Sequence, residues 1–173
     1  AEMMAVSGSA GTIVQLWDLN TADCVRTLRG HGDSVLCVDV DFASMKVVSG
    51  SADCTLAYWD LSSGLCLQRL KGHRGPVCCV AASISMQSAA SGSSDTTVGL
   101  WDLRTGTCTR TFHGHEHRVS CISVNFARGR ALTGSYDSTL KLWNLATGEC
   151  VEELDGHTNH VAANHALCVA ACL

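Results

Sequence analysis

Apolar and polar positions alternate along this chain in short runs, broken about every ten residues by Gly, Ser, Asp or Asn. The pattern is clearest between His31 and Gly72. Residues 34–40 place Val35 and Cys37 on the buried side of one strand. A turn at Ala43-Ser44 leads into a second short apolar run over 46–50. Ser51-Ala52-Asp53 reads as a tight turn, because an Asp carboxylate folds back onto nearby backbone N–H groups. Residues 55–59 alternate again, 61–64 turn, and 65–70 form a fourth strand. Four short strands joined by tight turns make an antiparallel meander.

The meander recurs with a fixed step. Trp17, Trp59, Trp101 and Trp143 are 42 residues apart, followed by Asp18, Asp60, Asp102 and Asn144. Gly30-His31, Gly72-His73, Gly114-His115 and Gly156-His157 keep the same step. A period of this size means one supersecondary unit copied several times. One unit cannot bury both of its apolar faces, so neighbours must stack. Meanders stacked around an axis are the blades of a propeller. The expected organisation is one domain, 1–173. Residues 1–30 are a partial first repeat; 31–72, 73–114 and 115–156 are full repeats; 157–173 are a partial last one. Pro76, the single proline, stands at a strand start, where a missing N–H does least harm.

Within each full unit a His is followed 22 residues later by an Asp, and that Asp six residues later by a Trp. The sets are His31, Asp53, Trp59; His73, Asp95, Trp101; and His115, Asp137, Trp143. With the Gly-His pairs and the Trp-Asp ends, these motifs resemble WD40-repeat proteins over residues 1–161. The resemblance implies an all-β WD40 beta-propeller with about four repeats, either a complete small ring or part of a longer chain. It also implies protein–protein scaffolding as the usual job.

Each full unit also carries a hydroxyl: Ser49, Ser91 and Thr133. Ser, His and Asp together suggest a nucleophilic triad. The threefold recurrence argues otherwise, since an active site is needed once. A buried Trp also needs an acceptor for its indole N–H. A Trp–Ser–His–Asp hydrogen-bond chain satisfies every polar group inside an apolar blade. The resemblance implies such a structural tetrad. Two units depart from it. The first has Gly11 at the Asp position and no preceding His. The last has His157 without a following Asp or Trp, and Ala163-Asn164 fit poorly where apolar residues are due.

The chain opens and stops in mid-repeat, which favours a piece of a longer propeller. The alternatives are closure as four blades, if residues 161–167 pair with the N-terminal strands, or two chains forming eight. An open arc would leave bare sheet edges and blade faces, hence possible self-association.

Composition narrows the function classes. Of 173 residues only 16% are charged, the net charge is −4, and the 12 Lys and Arg form no run, so nucleic acid is not an expected partner. No apolar stretch is long enough for a membrane span, and no secretory signal opens the chain. Seven of the 11 cysteines occupy equivalent sites: Cys24, Cys66, Cys108, Cys150, and Cys37, Cys79, Cys121. Equivalent sites in different blades lie too far apart to bridge, so these thiols are read as packing. Reduced thiols point to the cytoplasm or nucleus. His113, His115 and His117 hint at a metal, but the tetrad claims His115. No metal or other cofactor is expected.

The resemblance places a peptide-binding surface on one narrow face. Positions three and five after each Gly-His histidine, and the one before each turn Asp, point there. They are Ser34, Leu36 and Ala52; Pro76, Cys78 and Ser94; Arg118, Ser120 and Tyr136; and His160 in the last unit. Arg118 and Tyr136 stand out, because Arg and Tyr dominate interface hot spots. The expected function is a non-catalytic scaffold binding a protein or peptide. The alternatives are a substrate-recognition module of a ubiquitin ligase, an architectural part of a larger propeller, and a propeller hydrolase. A phosphopeptide reader would need more than one Arg, and a hydrolase would need polar residues that one unit alone carries.

Overall fold

A computed structural model describes residues 3–156. His157, His160 and the strand expected near 161–167 lie outside them. The described chain is four antiparallel sheets in sequence order. Sheet 1 holds β1 (Met4–Gly8), β2 (Ile13–Asp18) and β3 (Asp23–Arg29). Sheet 2 holds β4 (Val35–Asp41), β5 (Lys46–Ser51), β6 (Thr55–Asp60) and β7 (Cys66–Lys71). Sheet 3 holds β8 (Val77–Ser83), β9 (Ser88–Ser93), β10 (Val98–Asp102) and β11 (Thr107–Phe112). Sheet 4 holds β12 (Val119–Asn125), β13 (Arg130–Ser135), β14 (Leu140–Asn144) and β15 (Cys150–Leu154). Every pairing is between strands adjacent in sequence, as tight turns require. Among the described residues no helix is long and apolar enough to cross a membrane.

The apolar core lies between sheets. Val14, Leu16 and Leu28 of sheet 1 pack against Val47, Ala57, Trp59 and Leu61 of sheet 2. Leu56, Tyr58 and Leu70 then meet Ala89, Trp101 and Leu103, and Val98 and Phe112 meet Ala131, Trp143 and Leu145. Sheets 2 and 3 therefore each bury two different faces, one against each neighbour. Burying one such side chain is worth about 1.5–3 kcal/mol.

Glycine sets the spacing near the inner strands. At Gly50 an added Cβ would lie 2.6 Å from both Cys37 Sγ and Val77 Cγ1. Gly8 and Gly92 receive Val35 and Val119 of the next sheet in the same way. A side chain there would push two sheets apart.

Two irregularities repeat. The inner pairs shift register between Val35 and Cys37, Val77 and Cys79, and Val119 and Cys121. The outer pairs shift just before each tryptophan, between Leu16 and Trp17, Tyr58 and Trp59, Leu100 and Trp101, and Leu142 and Trp143. Such bulges re-aim a side chain. The inner ones leave Leu36, Cys78 and Ser120 as the extra residues.

Candidate binding face and the buried tetrads

The turn Asp begins each tetrad. Asp53 Oδ2 accepts the Gly32 N–H at 2.8 Å, and Oδ1 accepts the N–H and hydroxyl of Thr55 at 2.9 and 2.6 Å. His31 Nδ1 donates to Oδ2 at 2.9 Å, and its Nε2 lies 2.7 Å from Ser49 Oγ. The same Oγ accepts Trp59 Nε1–H at 2.8 Å. Sheet 3 repeats this. His73 meets Asp95 at 2.9 Å and Ser91 at 2.8 Å, and Trp101 reaches Ser91 at 2.8 Å. In sheet 4, His115 meets Asp137 at 2.7 Å and Thr133 at 2.8 Å, with Trp143 2.7 Å from that hydroxyl.

The proton count closes with a neutral imidazole protonated on Nδ1. The hydroxyl accepts from the indole and has one proton left, which it gives to Nε2. The indole N–H, the hydroxyl proton and the Nδ1 proton are each donated once, while each Asp oxygen accepts two hydrogen bonds. Burial, opposed by the hydrogen bond and charge of the paired Asp, holds His31 and His115 below their ordinary 6.5. The short His–Asp contacts are therefore hydrogen bonds from neutral rings rather than ion pairs. Burial opposes ionisation of the three aspartates as well. Hydrogen bonds from the Thr two residues on, from the His and from the backbone outweigh it. Asp53 and Asp137 sit far below the usual carboxylate range, and Asp95 at about 2.

Ser49, Ser91 and Thr133 are fully buried, so no substrate carbonyl can reach these hydroxyls. A triad needs an accessible nucleophile. His115 has both ring nitrogens committed and none left for a metal, while His113 and His117 flank it in the exposed loop. Sheet 1 keeps only the first link, Trp17 Nε1 to Ser7 Oγ at 2.8 Å.

The residues expected on the binding face meet in pairs. Ala52 N–H donates to Ser34 O at 2.8 Å, Ser94 to Pro76 at 2.9 Å, and Tyr136 to Arg118 at 3.0 Å. The Arg118 guanidinium carbon lies 5.4 Å from the centre of the Tyr136 ring. The bulge residues part company. Leu36 is exposed, whereas Cys78 is buried beside Ser94 Oγ at 3.2 Å. Ser120 is a correction to the expected face: it is buried, with its hydroxyl donated to Gly134 O at 3.1 Å. A spent hydroxyl facing inward does not greet a partner.

The family model for "WD domain, G-beta repeat" matches the chain three times, at residues 22–60, 64–102 and 106–144. The chain belongs to the WD40-repeat family. No curated protein matches it. WD40 repeats build a propeller scaffold generally used for protein interaction, and the four sheets here are part of such a propeller.

Two sets of residues in this WD40 chain escaped the sequence reading. Thr55, Thr97 and Thr139 anchor each turn Asp through hydroxyl and N–H. The signal was available, since each stands two residues after the Asp. The second set lies on the outer rim. Arg26 Nη1 donates to Ser63 O at 3.3 Å, Gln68 Nε2 to Arg104 O at 3.1 Å, and Arg110 Nη1 to Thr147 O at 3.0 Å. Each staples one blade to the next. Cys24, Cys37, Cys66, Cys79, Cys108 and Cys150, at repeat-equivalent sites, are free thiols, and burial pushes Cys37 up to about 12. Cys37 donates to Val77 O at 3.7 Å, which fits packing between blades.

Proposed function

We propose that this WD40 chain is a non-catalytic scaffold that binds a protein or peptide through the face bearing Arg118 and Tyr136. The observation that carries the reading is the Arg118–Tyr136 stack. The equivalent pairs, Ser34 with Ala52 and Pro76 with Ser94, are small, so among the described blades sheet 4 alone presents a large cationic and aromatic pair. Stacking holds the guanidinium before a ligand arrives, which lowers the entropy cost of binding. Arg118 Nε is buried without a hydrogen-bond partner among the described residues. One guanidinium suits a carboxylate or a carbonyl. The scattered positive charge gives a phosphopeptide-reading ligase module less support than a general peptide scaffold. Free thiols at repeat-equivalent sites support a reducing compartment, cytoplasm or nucleus.

The test is a displayed-peptide selection on the wild-type chain, followed by affinities for variants. Arg118→Ala and Tyr136→Ala should each weaken the selected peptides by about tenfold or more, with unfolding midpoints preserved. Leu67→Ala, on the exposed outer strand, should change nothing. Peptides that bind all three variants alike would move the site elsewhere.

A further inference from the structure

The three tetrads share one plan, yet only two of them have a strand cation beside the His–Asp pair. In sheet 2 it is Arg69, on the outer strand β7. Its Nη2 donates to Gly30 O, and its Nη1 donates to Thr55 Oγ1 at 3.1 Å and lies 3.7 Å from Asp53 Oδ2. In sheet 4 it is Lys141, buried and paired with Glu153. The charges of Arg69 and Lys141 add to burial in holding His31 and His115 low.

Sheet 3 has Thr111 where sheet 2 has Arg69, and Gly99 where sheet 4 has Lys141. Beside Thr111 lies a cavity of about 420 Å³, lined also by Gly72, Asp95 and Thr97, with Arg74 and His113 at its exposed rim. The groups that hold Arg69 all recur around it. Gly72 stands at the place of Gly30. Thr97 stands at the place of Thr55 and makes the same 2.6 Å bond to its Asp. Asp95 keeps the equivalent His and backbone partners of Asp53. What sheet 3 lacks is the guanidinium.

We infer that this cavity takes the arginine side chain of a partner protein, its guanidinium seated as that of Arg69 is seated in sheet 2. Arg69 reaches a carbonyl with one terminal nitrogen and a hydroxyl with the other, a fork that an ammonium does not have. The rim sets what flanks the arginine. Arg74 stands where sheet 2 has Gly32, and its charge opposes a bare cation but suits an arginine next to an acidic residue. Sheet 2 lies on one face of sheet 3 and sheet 4 on the other, so no further blade belongs at this place. Residues 157–173 contain neither Arg nor Lys. The site is separate from the Arg118–Tyr136 pair and does not depend on it.

Amide chemical shifts of the full 173-residue chain, followed while acetyl-Asp-Arg-amide is titrated in, test the inference. Gly72, Thr97 and Thr111 should shift together, with a Kd on the order of millimolar for so small a probe. Acetyl-Asp-Lys-amide should bind at least about tenfold more weakly. Thr111→Arg lies on an exposed outer strand and fills the slot from within, so the arginine probe should lose at least about tenfold in affinity. Thr111→Ala leaves the slot open and should bind as the wild type does. Ser62→Arg, an exposed charge in sheet 2, and Arg118→Ala should leave these shifts unchanged. The inference is overturned by the absence of shifts at the three residues, by equal binding of the lysine probe, or by Thr111→Arg binding as the wild type does. Free arginine binding as tightly as the blocked dipeptide would overturn the assignment to a protein partner.

Discussion

Removing one hydroxyl from a tetrad should cost far more than an ordinary hydrogen bond. In Ser91→Ala, Trp101 Nε1–H loses its acceptor and His73 Nε2 its donor, both at 2.8 Å in the native chain. Ser91 and Trp101 are buried, so water does not replace the lost partner. Each stranded group costs about 1–3 kcal/mol, hence roughly 2–5 kcal/mol for the pair. That is a large share of a stability of about 5–15 kcal/mol. Two controls lie within the molecule. Sheet 4 uses Thr133 at this place, so Ser91→Thr keeps both hydrogen bonds and should lose less than half as much. Sheet 1 has the Trp17–Ser7 bond without a His, and Trp17 is only partly buried, so Ser7→Ala should cost about 1 kcal/mol. Urea unfolding followed by tryptophan fluorescence measures all three. Equal losses for Ser91→Ala and Ser7→Ala, or for Ser91→Ala and Ser91→Thr, would refute the proton-closed tetrad.

Three further outcomes are expected. Gly92→Ala places a methyl 2.6 Å from Cys79 Sγ and nearer still to Val119, and should cost about 1–3 kcal/mol by overpacking. Gly129→Ala, at φ +64 in open space, should cost only about 1 kcal/mol of backbone strain, and a reversed order in urea midpoints would contradict the packing argument. Because His31 and His115 are held below 6.5 in the fold, the unfolded chain takes up more protons below that value. Stability is full above pH 6.5 and falls as pH drops through it, so a urea midpoint flat from pH 7.5 to 5.5 would count against neutral tetrad histidines. Asp95→Ala strands His73 Nδ1–H and the N–H groups of Arg74 and Thr97, for roughly 2–4 kcal/mol. Native Asp95 contributes stability above its ordinary 3.8 that is lost as pH falls towards about 2. The variant should lack that acid-dependent part, and a midpoint falling over the same range as the wild type's would reject it.

What the sequence disclosed and what it hid divide along one physical line. Hydrogen bonds that close within a sheet depend on spacing inside one repeat. His31, Ser49, Asp53 and Trp59 all belong to sheet 2 or its turns, so their fixed separations, read with the family resemblance and the needs of a buried Trp, were enough to group them. The strands expected over 34–40, 46–50, 55–59 and 65–70 lie within a residue or so of β4 to β7 for the same reason. Exposure depends on the neighbouring sheet, which a single repeat does not contain. Trp17 and Trp59 occupy the same place in their units, yet among the described residues only Trp59 of the two has a sheet laid over it. Leu36, Cys78 and Ser120 are all bulge residues, yet one is exposed and two are buried, because the side chain and its surroundings, not the register, set the outcome. The rim staples obey the same logic. Their polar side chains recur every 42 residues, but their partners lie 36 or 37 residues away in the next blade. A repeat sequence therefore writes each blade's internal wiring plainly and leaves its burial to the blade beside it.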